Sequence, residues 1–226
     1  MSTIRRNDYV SPLNVTFTNI QLWANSNLML IKNEKSKQIF FSRNCNFDNS
    51  SFVISDIPVQ NQMRILGIIF DDSLKWNSHI HEICKKASSK MYVLHQLKQF
   101  VTKEKLIVIF QSCIRSILEY CSPLFTDLNV GLCKELEKIQ NRGHFIICES
   151  WHCDCSNFVP LSYRRLIIAY KLFLTIMKNE NHVLHHFLFT KMKHSGQFRL
   201  PSLRSTSFEQ SFFVTMSKLN NSGFRI

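Results

Sequence analysis

Long apolar runs are missing from this sequence. The longest, such as Leu106 to Phe110, reach five or six residues, whereas a membrane-spanning helix needs about 20, so no segment is expected to cross a bilayer. Glycine and proline are scarce too, at five each in 226 residues, which excludes a collagenous chain and a Gly/Pro-rich linker protein. Acidic residues are few, 16 Asp and Glu against 28 Lys and Arg. The formal charge of +12 points to a polyanionic partner, nucleic acid or an anionic membrane surface, and does not choose between them. No apolar stretch follows Arg5 and Arg6 as a secretory signal requires. The expectation is an intracellular protein, nuclear or cytoplasmic left open, whose eight Cys are reduced thiols. What the sequence holds in quantity is apolar: 45% hydrophobic residues and nineteen Phe. That excludes a disordered chain and is enough for one sizeable domain or two small ones.

Two textures divide the chain. Up to about residue 72, short apolar runs at 28–31, 38–42, 52–54 and 64–70 are bounded by turn residues, as strands are. Val15, Ile20, Trp23 and Ala24 line one side of a short helix, and the Asn, Asp and Ser residues of 44–51 read as a loop. From Trp76 onward the apolar period becomes helical. Ile80, Ile83, Cys84, Ala87, Met91 and Leu94 form one stripe, with Lys85, Lys86 and Ser89 opposite. Leu106, Phe110, Cys113, Ile114, Ile117 and Cys121 form a second, stopped by Pro123. A third helix starts after Gly131, turning Leu132, Leu136 and Ile139 inward. A fourth, 161–177, buries Leu166, Tyr170, Phe173, Leu174 and Met177, and a fifth runs from about 182 to 193. The fold class is therefore α+β, a small N-terminal sheet unit followed by a mainly α-helical region. Between residues 160 and 205, Arg164, Arg165, Lys171, Lys178, Lys191, Lys193, Arg199 and Arg204 face the single acid Glu180, so +7 of the +12 lies there.

The segment 64–80, RILGIIFDDSLKWNSHI, carries Leu66, Gly67, Asp71, Leu74, Trp76, His79 and Ile80. In order and spacing these resemble the segment after the polymerase palm in reverse transcriptases of non-LTR retrotransposons, the jockey-like and related LINE elements. Upstream, Trp23-Ala24 through Ile31-Lys32-Asn33-Glu34-Lys35-Ser36 is similar to the family's Trp and Leu-Asn-x-x-Lys-Thr stretch, with Lys32 and Ser36 in place of the usual Asn and Thr. Downstream, ILEYCSP at 117–123, LEKIQNR at 136–142, and Pro160-Leu161 with Arg164-Arg165 are similar to its successive post-palm helices. The likeness covers about residues 15 to 215.

The resemblance implies a remnant of a palm sheet with a primer-grip-like turn at 11–75, a helical thumb-like or connection region at 76–200, and an eroded tail at 201–226. In that tail Ser211-Phe212-Phe213 matches the family, and Leu219 to Gly223 replaces its Trp-Asn-x-Leu-Pro. It also implies an RNA-directed DNA polymerase, with RNA or an RNA–DNA hybrid template–primer as the polyanion. The family's catalysis rests on an early strand Asp and on a hairpin bearing an aromatic residue, any residue, then Asp-Asp, which together hold two Mg²⁺ ions. Those segments belong before Trp23, and the residues there carry no Asp pair. The expectation is a fragment with no catalytic residue, metal or cofactor in this chain. Mg²⁺ is needed only by the intact polymerase, and the upstream palm is a missing structural partner. Two alternatives stand beside it: a nucleic-acid-binding module without catalysis, and a non-functional remnant of the element.

Individual residues carry paired readings. Phe70-Asp71-Asp72 has its aromatic residue adjacent to the first Asp, so it reads as a strand end and turn, with Asp72 or Ser73 capping the next helix. By resemblance Lys35 lies near an incoming nucleotide, and otherwise it is a solvated lysine beside Lys32 and Lys37. Gly67 allows close backbone approach, either to a primer end or within a tight packing point. Trp76 and His79 read as structural. Lys85, Lys86 and Lys90, and likewise Arg164, Arg165 and Lys171, point away from their apolar stripes as phosphate contacts or as ordinary solvated faces. Cys148, His152, Cys153 and Cys155 crowd one short loop, which cannot place four donors tetrahedrally around zinc. His182, His185, His186 and His194 read as a wet helix face.

Overall fold

A computed structural model describes residues 12–41, 53–54, 57–149, 158–192, 194–202 and 206–225. The protein is mostly helical, 60%, with one small two-stranded antiparallel sheet, the α+β layout expected from the two textures. Two compact units divide it, Met1–His79 and Ile80–Ile226. No helix among the described residues is long and apolar enough to cross a membrane. The dense cluster from Cys148 to Cys155 lies outside the described residues except for Cys148, which is half-buried at the end of a helix.

The first unit begins with α1, Pro12–Ser26. Its end is a complete Schellman turn: Leu28 takes a left-handed φ of 56°, its N–H bonds Asn25 O, and Met29 N bonds Ala24 O at 2.8 Å. The helix was expected to turn Val15, Ile20, Trp23 and Ala24 one way. Only Ala24 is buried, and Val15, Ile20 and Trp23 are exposed together with Leu13 and Leu22. The expected strand at 28–31 is absent. The run at 38–42 reduces, among described residues, to a single parallel bridge between Gln38 and Val59. The physical reason is the buried Gln38 side chain, whose amide donates to Ile57 O at 2.6 Å and Ile54 O at 3.1 Å and accepts from Ile54 N. One side chain thus satisfies backbone groups that a strand ladder would otherwise pair. Residues 64–70, expected as one strand, fold as a hairpin of β1, Gln62–Ile65, and β2, Ile68–Asp71. Gln62 pairs with Asp71, Met63 with Phe70, Arg64 with Ile69 and Ile65 with Ile68.

The second unit is helical. Along α2, Asn77–Leu97, the expected stripe of Ile80, Ile83, Ala87, Met91 and Leu94 is buried. Cys84 is half-buried, and burial followed by the nearby Glu135 carboxylate pushes its thiol up to about 11. The second expected helix is α3, Lys103–Phe110, continued by a wide π-type turn, Gln111–Arg115, into α4, Ser116–Glu119. Its buried apolar residues are Leu106, Phe110, Ile114 and Leu118, a strict spacing of four. In a regular α-helix each such step drifts about 40° around the axis, and the wider π turn takes up the drift and keeps the four on one face. Cys113, read as part of the stripe, is exposed. The chain then leaves the helix through Cys121 at φ 53° into the short 3₁₀ turn Ser122–Phe125.

Helix α5, Val130–Cys148, starts where Asn129 Oδ1 accepts Leu132 N at 2.9 Å, a side-chain cap of the ordinary kind. Its buried face is Leu132, Leu136, Gln140, Gly143, Ile146 and Ile147. Helix α6, Leu161–Lys178, buries Leu161, Arg165, Ala169, Tyr170, Phe173 and Ile176. Leu166, Leu174 and Met177 pack half-buried beside a cluster of Ala169, Tyr170, Phe173, Phe198 and Met216. The fifth expected helix is only a 3₁₀ turn, His185–Phe187. Asn179 Oδ1 accepts Asn181 N, and His182 Nδ1 accepts Leu184 N. Such local side-chain bonds offer the backbone an alternative to a helix.

Two helices close the chain: α7, Thr206–Glu209, and α8, Phe212–Asn221. Residues Leu219 to Gly223, which lie in the expected tail, end a regular helix. Gly223, at φ 77°, sits in a second Schellman turn, with Gly223 N on Asn220 O and Phe224 N on Leu219 O. Phe224 lies edge-on to Tyr170 at 5.1 Å, and its carbonyl accepts the Tyr170 hydroxyl. The Asn221 side chain accepts Phe198 N at 2.8 Å and donates to Phe198 O at 2.9 Å, copying the two bonds of a sheet pair.

Candidate nucleic-acid interface

The segment that carries the family resemblance folds as hairpin, turn and helix start. Leu66 and Gly67 form its two-residue loop with φ of 49° and 86°. Both central residues left-handed define a type I′ turn, whose twist matches the strands and which suits glycine at its second position. Asp71 ends β2. Its Oδ1 accepts the Ser73 hydroxyl at 2.8 Å and Lys75 N at 2.9 Å, and its Oδ2 accepts Trp76 N at 2.9 Å. Burial alone would raise this carboxyl. The bonds from Lys75, Ser73 and Trp76 together outweigh it and hold Asp71 below the usual carboxylate range. The same bonds fix a strained turn in which Leu74 and Trp76 are left-handed, at φ 54° and 65°, a conformation costing a non-glycine residue roughly 1–2 kcal/mol. Asp71, rather than Asp72 or Ser73, is therefore the residue that ties the turn. Trp76 is buried against the edge of Phe70 at 5.5 Å. His79 is buried, with Nδ1 accepting Ile69 N at 3.4 Å.

The cationic residues divide by unit and by burial. In the first unit, Lys35 is exposed at the end of the 3₁₀ turn Asn33–Lys35. In the second, Lys85, Lys86 and Lys90 are exposed along α2, and Lys86 pairs with Glu82 at 2.6 Å one turn earlier. Lys171 is exposed on α6. The two arginines at the start of α6 do not both face solvent as expected: Arg164 is half-buried and Arg165 is buried. Arg164 forks onto Glu119 of α4 through Nε to Oε1 and through Nη2 to Oε2 at 3.0 Å. Arg165 is only 6% exposed, and its Nη2 donates to Cys133 Sγ at 3.4 Å. The reason is position: Leu161, Arg165, Ala169 and Phe173 are successive residues of one buried row, so a charge at 165 points inward whatever its chemistry.

Sequence reasoning missed the group around Glu119. Arg115, buried, lies over the rings of Phe110 at 5.3 Å and Phe158 at 5.4 Å. Burial pushes its guanidinium down, Arg164 adds to this, and Glu119 opposes it. The Glu119 hydrogen bond holds Arg164 up. The available signal was the spacing of Arg115 and Glu119, four apart on one helix face. Its partner, 45 residues from Glu119, has no local trace.

Among the described residues no three His, Cys, Asp or Glu side chains gather as a metal site requires. Both Asp71 oxygens are taken up by the turn's own hydrogen bonds, so Asp71 itself does not fit a two-Mg²⁺ site of the kind a polymerase uses. A cavity of about 310 Å³ lies against α1, lined by Thr18, Gln21, Leu22, Asn25, Leu30 and Ile31. Another of about 410 Å³ lies on α3 beside Glu104, Lys105, Val108 and Ile109. Neither touches the cations above. Compared with protein-family models, curated proteins and solved structures, the chain matches none of them.

Proposed function

We propose that the chain is the post-palm part of a non-LTR retrotransposon reverse transcriptase. On this reading a palm remnant with a primer-grip-like turn at Leu66-Gly67 precedes a thumb-like helical region, which binds an RNA or RNA–DNA hybrid template–primer and carries no polymerase chemistry of its own. The observation that carries the reading is the 64–80 segment. The matched residues are the ones that fold into a single hairpin and turn: Leu66 and Gly67 make the loop, Asp71 ties the turn, and Trp76 and His79 are buried beside it. A chance likeness of composition has no reason to select those positions.

Charge supports the polyanionic partner. With Arg164 committed to Glu119 and Arg165 buried, the phosphate-facing candidates on the second unit's helices are Lys85, Lys86, Lys90 and Lys171. Each cation that neutralises a phosphate releases counterions, so affinity falls steeply with salt. On this reading the chain's residues bind and position a strand rather than carry out phosphoryl transfer, which needs metal-held carboxylates. The test pairs primer extension, on an RNA template–DNA primer with Mg²⁺ and deoxynucleotides, with binding of the same hybrid across a salt series. The expected result is no extension and salt-dependent binding. Polymerisation by this chain alone, or no measurable binding at low salt, overturns the proposal.

A further inference from the structure

Between Glu180 and Glu209 the sequence contains no acidic residue. This stretch leaves α6, passes through the 3₁₀ turn His185–Phe187 and doubles back between Thr190 and Arg199. Arg199 N bonds Thr190 O and Met192 N bonds Gln197 O, both at 2.8 Å, and Lys191 pairs antiparallel with Phe198. Gly196 at φ 66° lets the chain reverse. The base of this hairpin is firmly held: Phe198 is 3% exposed in the aromatic cluster, edge-on to Phe173 at 5.6 Å, and Asn221 bonds both its backbone groups. Lys191 and Arg199 are exposed beside it, and Lys191 Nζ is braced over the Phe198 ring at 5.3 Å.

Just ahead of the hairpin Phe187 remains 53% exposed. Its ring is supported by Phe213 at 5.9 Å and by the His186 ring at 3.9 Å. A supported but uncovered aromatic ring, next to cations with no acid near them in sequence, has the composition of a single-strand site. There bases stack on rings while Lys and Arg follow the phosphates. A duplex keeps its base faces stacked inside and leaves such a ring nothing to meet.

We propose that the 185–199 segment binds unpaired nucleic acid, with Phe187 and His186 stacking a base and Lys191 and Arg199 contacting flanking phosphates. The proposal rests on the template–primer reading above and assigns this segment to the unpaired strand extending beyond the hybrid. The experiment compares binding of a blunt RNA–DNA hybrid with that of the same hybrid bearing a single-stranded extension. The extended hybrid should bind more tightly. Phe187→Ala should remove the advantage, about 5- to 150-fold, and leave blunt-hybrid affinity unchanged. Phe187→Trp should keep it, which excludes a folding defect as the cause. The double variant Lys191→Ala with Arg199→Ala should lower the salt slope for the extended hybrid by about 0.7 for each phosphate left without its cation. An extension that adds no affinity, or an advantage that survives both the Phe187 and the paired cation variants, overturns the inference while hybrid binding stands. Loss of blunt-hybrid binding with single-strand binding intact overturns the template–primer reading instead.

Discussion

Gly143 offers the sharpest test of the packing in the helical unit. It sits inside α5, where replacing glycine by alanine ordinarily stabilises a helix by about 1 kcal/mol. Here an added Cβ would lie 2.2 Å from Phe110 Cε2, 2.7 Å from Cδ2 and 3.0 Å from Cζ. Carbon atoms rest about 3.5–4.0 Å apart, so the ring would have to retreat by roughly 1.3 Å or more. It has nowhere to go: Phe110 is fully buried, with the Phe158 ring at 5.2 Å and the Arg115 guanidinium at 5.3 Å. Overpacking of this kind costs about 1–3 kcal/mol, at the upper end for a clash with a rigid ring, and the helix gain offsets part of it. Gly143→Ala should therefore destabilise the protein by about 1–2 kcal/mol, lowering the melting temperature by about 2–8 °C for a chain of this size. Urea denaturation followed by circular dichroism measures the change. Phe110→Leu makes room, so the double variant should be more stable than the two single losses predict, with a coupling of about 1 kcal/mol or more. A Gly143→Ala protein as stable as the parent, or a cycle without coupling, would falsify this packing of α3 against α5.

Three further outcomes follow from the electrostatics. Asp71 is held below its ordinary value, so its stabilising contribution is complete above the unfolded carboxylate range and fades as pH falls through the lower folded value. Asp71→Asn should cost about 2 kcal/mol at neutral pH, and denaturation across a pH series should show the gap to the parent closing below about pH 4; a gap independent of pH refutes the turn's reliance on the charge. Arg164→Ala should lower stability by about 1–2 kcal/mol, because it leaves Glu119 only 13% exposed without its fork. It should also leave hybrid affinity within about two-fold, since a committed guanidinium releases no counterion, and a large loss of affinity in a binding titration contradicts that commitment. Alkylation followed by mass spectrometry should modify exposed Cys113 well before Cys84, whose rate should keep rising towards pH 11 because burial and Glu135 hold its thiol there.

How far the fold was legible depended on whether neighbours in sequence decide the outcome. The stripe of α2 is a regular period of apolar residues, and burial follows it. In the stretch from Leu106 to Cys121 the expected stripe ran through Cys113 and Ile117 on an ordinary helical period, whereas the π-type turn keeps the buried apolar residues four apart as far as Leu118. The strands failed for a different reason. Gln38 bonds Ile54 and Ile57 through its side chain, a non-local arrangement that no alternation pattern records. The hairpin loop was written in Leu66-Gly67, and its strands are so short that a single run was the natural reading. Among the candidate contacts, the exposure of Lys85, Lys86 and Lys90 follows from their place opposite an apolar face. Arg165 was misread because its chemistry suggested solvent and its register dictated the interior. The pairing of Arg164 with Glu119 joins separate helices, and only the folded chain brings them together.

The bond pair between Asn221 and Phe198 also imposes an order in time. The two residues are 23 apart, so on a ribosome adding about 5–20 residues per second the anchor of the basic hairpin is synthesised roughly 1–5 s after the hairpin itself. Until Asn221 has emerged and α8 has closed, the Phe198 backbone lacks these partners. A chain ending before α8 would therefore carry the same cations without the fixed base that holds them in register and without the Phe213 ring beside Phe187.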